Sequence, residues 1–169
     1  PAYNRLERTL SELYNGRSAL VFNSGYHTNI GVLPALARSG DLILSDKLNH
    51  ASIIDGLKLA DAEFRRYPHL DLEQLEKQLA AKRAAYRQVF IVTESVFSMD
   101  GDLADLRKLV ELKEKYDAVL VVDEAHSVGV RGPRGTGLAA ELGVAGKVDV
   151  LIGTFGKAFG STGAYAIME

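Results

Sequence analysis

The sequence predicts an α/β fold: three layers, αβα, around a mostly parallel seven-stranded sheet whose last strand runs antiparallel. Three observations carry that expectation. Short apolar runs alternate with amphipathic segments along nearly the whole chain. Runs such as Val89–Val92 and Ala118–Val122 are continuously apolar, the mark of strands buried on both faces. The link into the last run is short, Gly-rich and helix-free, whereas a parallel neighbour needs a crossover of roughly a dozen residues or more.

Tyr3, Leu6, Leu10 and Leu13 recur at helical spacing, and Gly16 stops that first helix. Ala19–Phe22 is a strand; Asn23-Ser24-Gly25-Tyr26 breaks it and opens a second helix to about Ala37, with Ser24 placed to cap it. After the Ser39-Gly40 turn, Asp41–Ser45 is a strand and Asp46–His50 a polar loop into a helix over Ala51–Leu59. Glu63–Tyr67 is a short strand, and Asp71 caps a helix with Leu72, Leu75 and Leu79 on one face. Gln88–Thr93 is a buried strand, Glu94–Asp102 a loop, and Leu103–Tyr116 a helix turning Leu106, Leu109 and Val110 inward. Ala118–Val122, the most apolar strand, ends in Asp123-Glu124. A Gly-rich loop, Gly129–Gly137, precedes a short helix around Leu138–Leu142. Val148–Ile152 is the sixth strand, Gly153–Gly163 a loop, and Ala164–Met168 the last strand. Both ends read as cuts through a longer protein, so residues 1–169 are expected to be one large domain without its N-terminal segment and its smaller C-terminal domain.

Composition narrows the function. Lys+Arg 20 against Asp+Glu 22 gives a net charge of −2, with no basic patch for nucleic acid and no polybasic tail for anionic lipid. No apolar run approaches the roughly 18 residues of a membrane span. Cysteine is absent, which removes disulfides, thiol nucleophiles and Cys-based zinc sites and fits a reducing cytoplasm. His27 and His69 have no partners at metal-ligand spacing and read as surface residues, so no metal site is expected.

In open α/β sheets the ligand sits beyond the carboxyl ends of the strands, and the polar residues collect there. Ser24, Gly25 and Tyr26 follow the first strand at a helix N-terminus, where free N–H groups suit a phosphate. His50 follows the second strand, Ser98 the fourth, and Asp123 and His126 the fifth. A carboxylate ending so apolar a strand is costly without a positive partner. Thr154 and Lys157 follow the sixth, with Phe155 and Phe159 beside the lysine and glycines at 153, 156, 160 and 163 letting the backbone approach a ligand. An amine in a partly apolar pocket loses its proton more easily and can attack a carbonyl. Pyridoxal phosphate engages all of these groups at once: an aldehyde for the lysine, a ring nitrogen for the carboxylate, a phenolic oxygen for donors, and a phosphate.

Five stretches carry a resemblance to a known family: Phe22–Tyr26, Ser45–Ser52, Val96–Asp102, Val122–His126 and Gly153–Lys157. In that order they resemble the α-oxoamine synthases, fold type I pyridoxal-phosphate enzymes, from the first helix to the last residue. The resemblance implies that Lys157 holds the cofactor covalently and moves the Cα proton, that Asp123 pairs with the pyridine nitrogen, and that His50 stacks on the ring. It places Ser98 and His126 near the phenolic oxygen, and gives the phosphate to the Gly25 and Tyr26 amides, beside Ser24, and to the Thr154 hydroxyl. It implies a cytoplasmic homodimer joining an amino acid to an acyl-CoA or acyl-carrier-protein thioester, with loss of carbon dioxide. The lysine loop and the following Gly163-Ala164-Tyr165 resemble members that use alanine and a pimeloyl thioester; Asn49–Gly56 resembles equally well those that use glycine and acetyl-CoA.

Other classes fit worse. Gly153–Ala158 lacks the spacing of a P-loop, and Ala158 stands where a magnesium-binding hydroxyl belongs. Gly129, Gly132, Gly135 and Gly137 do not link a strand directly to a helix, so the dinucleotide fingerprint fails as well.

Overall fold

The computed structural model describes residues 2–169. The strands are β1 (Ser18–Phe22), β2 (Leu42–Asp46), β3 (Glu63–Tyr67), β4 (Val89–Glu94), β5 (Val119–Asp123), β6 (Val150–Thr154) and β7 (Ala164–Met168). The helices are α1 (Ala2–Leu13), α2 (Gly25–Leu36), α3 (Ala51–Leu59), α4 (Leu72–Lys82), α5 (Leu106–Lys115) and the single turn α6 (Leu138–Glu141). One sheet contains every strand, in the order β1-β7-β6-β5-β4-β2-β3. β7 pairs antiparallel with both β1 and β6, and the remaining pairs are parallel, as the helix-free link before β7 requires.

Alternate strand residues bury in opposite directions, which makes the three layers. Leu42, Leu44, Ile91, Leu120, Val122 and Leu151 join a core under α1, α4, α5 and α6. Ile43, Phe90, Val92, Val121, Val150 and Ile152 join a second core with Val32 and Leu33 of α2 and Ile53 and Leu57 of α3. The edge strand β3 exposes Glu63, Arg65 and Arg66, charges that discourage a further strand from pairing there.

Several strand boundaries shift by a single residue, and two elements shift further. The fifth helix begins at Leu106 rather than Leu103, because the Asp105 side chain accepts from Lys108 N–H and caps it there, while Leu103 bridges Val96 across the loop. The sixth strand starts at Val150 and runs on through Gly153 and Thr154, since β7 pairs with it as far as Thr154↔Ala164. Gly153 is needed there: a Cβ would stand 2.3 Å from the Tyr165 ring.

Candidate active site

The carboxyl ends of β2, β4, β5 and β6 and the N-terminus of α2 converge on one cleft of about 210 Å³. Gly25, Tyr26, His50, Asp123, Thr154 and Lys157 line it, as the sequence suggested. His126 reaches it through Lys157, whose Nζ lies 2.7 Å from His126 Nε2. Ser24 acts behind the wall: its Oγ accepts from His27 N–H at 3.2 Å and caps α2. Ser98 is exposed on the loop after β4 and is not part of the lining.

Each group has a local reason for its place. The α2 cap leaves the Gly25 and Tyr26 N–H groups without helical partners, pointing the positive end of the helix dipole into the cleft. His50 caps α3, its Nδ1 accepting from Ser52 N–H at 3.2 Å. Thr154 ends β6, where its hydroxyl donates to Gly163 O and accepts from Gly156 N–H, closing the neck of the lysine loop. Gly129 packs against the same loop so tightly that a Cβ would come 2.7 Å from that of Ala158, which gives the 129–137 glycines a structural use.

The electrostatics suit a lysine amine that would attack a carbonyl. Desolvation by the cleft walls holds Lys157 below its ordinary pKa, with Asp123 and Glu94 pulling the other way. Burial also lowers His126, and the neighbouring Lys157 charge lowers it further. Asp123 is 7% exposed and, among the described residues, forms no ion pair. Its Oδ1 accepts from Ala125 N–H and its Oδ2 from Asn29 Nδ2, both at 2.9 Å. A buried carboxylate facing a cleft without a cation of its own fits a protonated ring nitrogen. A helix start whose Gly25 and Tyr26 N–H groups have no helical partner fits a phosphate, and a partly desolvated amine fits an aldehyde. The residues present therefore fit pyridoxal phosphate.

The structure adds residues that sequence reasoning left unassigned. Glu94 is the register partner of Asp123 on β4. Burial, with Asp123 adjacent, pushes its carboxyl up to about 7, and its Oε1 accepts from His50 N–H at 2.6 Å. Asn29 and Ser52 line the cleft. A polar residue inside each helical stretch was their only signal. His69 is not a free surface residue: its ring bonds Asp46 at 2.9 Å and Asp102 at 3.2 Å and stands edge-on to Phe97.

Comparison with known proteins agrees with this geometry. The family described as aminotransferase class I and II matches residues 2–169. The 8-amino-7-oxononanoate synthase of Chlorobaculum parvum is 64% identical over 169 residues, all of this chain and 43% of the relative. A putative 8-amino-7-oxononanoate synthase of Pasteurella multocida is 52% identical, and the chain spans 44% of it. The chain thus covers less than half the length of these relatives. Among solved structures, serine palmitoyltransferase of Sphingomonas wittichii superposes with a TM-score of 0.93 at 40% identity, over 98% of this chain and 41% of that one. The 8-amino-7-oxononanoate synthase of Francisella tularensis gives 0.86 at 36%, over 99% of this chain and 48% of that one. With its family, its sheet order and its cleft in agreement, the chain belongs to the aminotransferase class I and II family, among the α-oxoamine synthases, pyridoxal-phosphate enzymes of fold type I.

Proposed function

We propose that the whole protein joins L-alanine to a pimeloyl thioester with loss of carbon dioxide, forming 8-amino-7-oxononanoate for biotin synthesis. The observation that carries the reading is Lys157 and Asp123 at the ends of adjacent parallel strands, facing one cleft with opposite charge preference. The choice of acyl acceptor rests on the lysine loop and on the 64% identity to one such synthase.

In this reading the cofactor, when bound, supplies an electron-withdrawing ring. Lys157 holds it through its amine, then takes and returns the proton at the amino acid's Cα. Its depressed pKa keeps the amine available for both tasks. Asp123 keeps the ring nitrogen protonated, His50 covers one ring face, and the Gly25 and Tyr26 amides with Thr154 anchor the phosphate. His126, bonded to Lys157, lies near the phenolic oxygen, and Ser98, exposed outside the lining, is the one expected neighbour of that oxygen that the cleft leaves out. A homodimer, a cytoplasmic location and a smaller domain outside residues 1–169 that binds the amino-acid carboxylate belong to the same proposal. Glycine C-acetyltransferase is the second reading, favoured by the Asn49–Gly56 run.

The test is full-length protein assayed with alanine and with glycine against pimeloyl and acetyl thioesters, following release of the thiol. Alanine with the pimeloyl thioester should give the highest kcat/KM; a higher value for glycine with acetyl-CoA replaces this reading by the second.

A further inference from the structure

Two buried side chains, Asn29 and Ser52, connect Asp123 to His50 without a break. Asn29 of α2 is 2% exposed, and its Nδ2 donates to Asp123 Oδ2 at 2.9 Å and to Ser52 Oγ at 3.0 Å. Ser52, in the first turn of α3 and also 2% exposed, has its Oγ 2.8 Å from His50 Nδ1. That same nitrogen accepts from Ser52 N–H.

The direction of each bond follows from the carboxylate end. Both Asp123 oxygens accept from N–H groups, Ala125 on one side and Asn29 on the other. Asn29 must therefore turn its NH₂, not its carbonyl, toward Asp123, and the same NH₂ supplies Ser52. A serine hydroxyl carries one proton. With its oxygen receiving from Asn29, that proton is directed at His50 Nδ1. Nδ1 then accepts twice from Ser52, from the hydroxyl and from the backbone N–H, so a proton on Nδ1 would face two donors. The neutral ring carries its hydrogen on Nε2.

We propose that Asn29 and Ser52 are positioning residues that lock His50 in its Nε2–H tautomer, transmitting the acceptor state of Asp123 to the ring that lines the other side of the cleft. The consequence for chemistry rests on the reading of the cleft given above. A ring fixed this way offers one donor edge, at Nε2, and an unvarying face. The inserted pair is possible because α2 and α3 touch at a glycine: a Cβ on Gly56 would lie 2.6 Å from the Asn29 carbonyl oxygen.

The experiment uses full-length protein with ¹⁵N-labelled histidine, recorded by long-range ¹H–¹⁵N correlation without and with pyridoxal phosphate; the His50 signals are those lost in His50→Gln. The unaltered protein should show one His50 tautomer, Nδ1 unprotonated and Nε2 protonated, in both samples. Ser52→Ala and Asn29→Leu should move the two nitrogens toward averaged shifts, and Ser52→Thr should restore the single tautomer, which separates the relay from a general loss of packing. An Nδ1–H tautomer in the unaltered protein, or shifts unmoved in both relay variants, overturns the proposal. Because the cofactor-free sample already reports the tautomer, a locked ring in a protein that fails to bind pyridoxal phosphate supports the relay and overturns the functional reading instead.

Discussion

Lys157 Nζ and His126 Nε2 stand 2.7 Å apart, within hydrogen-bond distance. Burial disfavours charge on both, and each would repel the other if both were protonated. This pair makes Lys157 chemically distinct from the other lysines of the chain. Reduction of the cofactor-loaded full-length protein with borohydride, followed by peptide mapping, should label the peptide containing Lys157 alone. Lys157→Ala should lose the label and turnover together while keeping the circular dichroism of the unaltered protein. Label on another lysine, or turnover in the alanine variant, removes the assignment.

Asp123→Asn tests the other side of the cleft. The asparagine keeps the shape and can still accept from Asn29, but it does not hold a proton on the ring nitrogen. Cofactor binding should persist while kcat falls by about 3 kcal/mol in transition-state stabilisation, the scale of a lost electrostatic partner in a dry site. Near-normal turnover contradicts the role.

Gly56→Ala should damage the site through the fold. The added methyl meets the Asn29 carbonyl oxygen at 2.6 Å and Leu33 at 3.0 Å, so α3 must move away from α2. Overpacking of this kind costs about 1–3 kcal/mol. Chemical denaturation should show that loss, and the Asn29–Ser52 contact should lengthen, lowering kcat more than a stability loss elsewhere of equal size.

Stability should fall as pH rises toward neutrality, and Glu124 is one cause. Burial pushes its carboxyl up to about 7; Oε1 accepts from Ala139 N–H, but Oε2 has no partner. A carboxyl with a raised folded pKa binds its proton more tightly in the fold, so stability is lost as pH climbs from its ordinary value to about 7. The full effect is on the order of 3 kcal/mol at about 1.4 kcal/mol per pH unit. Thermal unfolding without cofactor across this range should show the slope, and Glu124→Gln should reduce it; Glu94→Gln should remove most of the remainder, because Glu94 titrates in the same window.

His69 contributes a second, higher window. Burial opposes its charge, but the bonds to Asp46 and Asp102 outweigh burial and raise its pKa. Its stabilisation is complete below the ordinary histidine range and fades as pH rises through the raised value. His69→Gln should lower the stability curve by a constant amount below the ordinary histidine range and remove the decline above it; a decline that persists in the variant dismisses the ion-pair account.

The strand and helix order, the antiparallel last strand and most of the cleft lining were legible in the residues. Period and chain connectivity are local properties. A buried parallel strand must be apolar throughout, the helix-free loop over 155–163 is too short to reach a parallel neighbour, and catalytic groups in this architecture have few places to stand other than strand ends. Lys157, Asp123, His50, Thr154 and the Gly25-Tyr26 amides were found that way, and the structure brings them together.

What only the tertiary structure decided are relations between residues far apart in the chain. Asn29 reads as one polar residue in an apolar helix and Ser52 as a first-turn serine, until α2 and α3 meet at Gly56 and set them between Asp123 and His50. His69 reads as a surface residue until the turn after β3 places it between Asp46 and the loop holding Asp102. Glu94 reads as the first residue of a loop until β4 runs on to it, register sets it beside Asp123 and burial raises its pKa. Sequence determined the chemical groups and the strand ends that carry them, because local periodicity and chain geometry fix those. Hydrogen-bond direction and proton affinity were decided by the fold, because both depend on which distant groups share a volume that water does not enter.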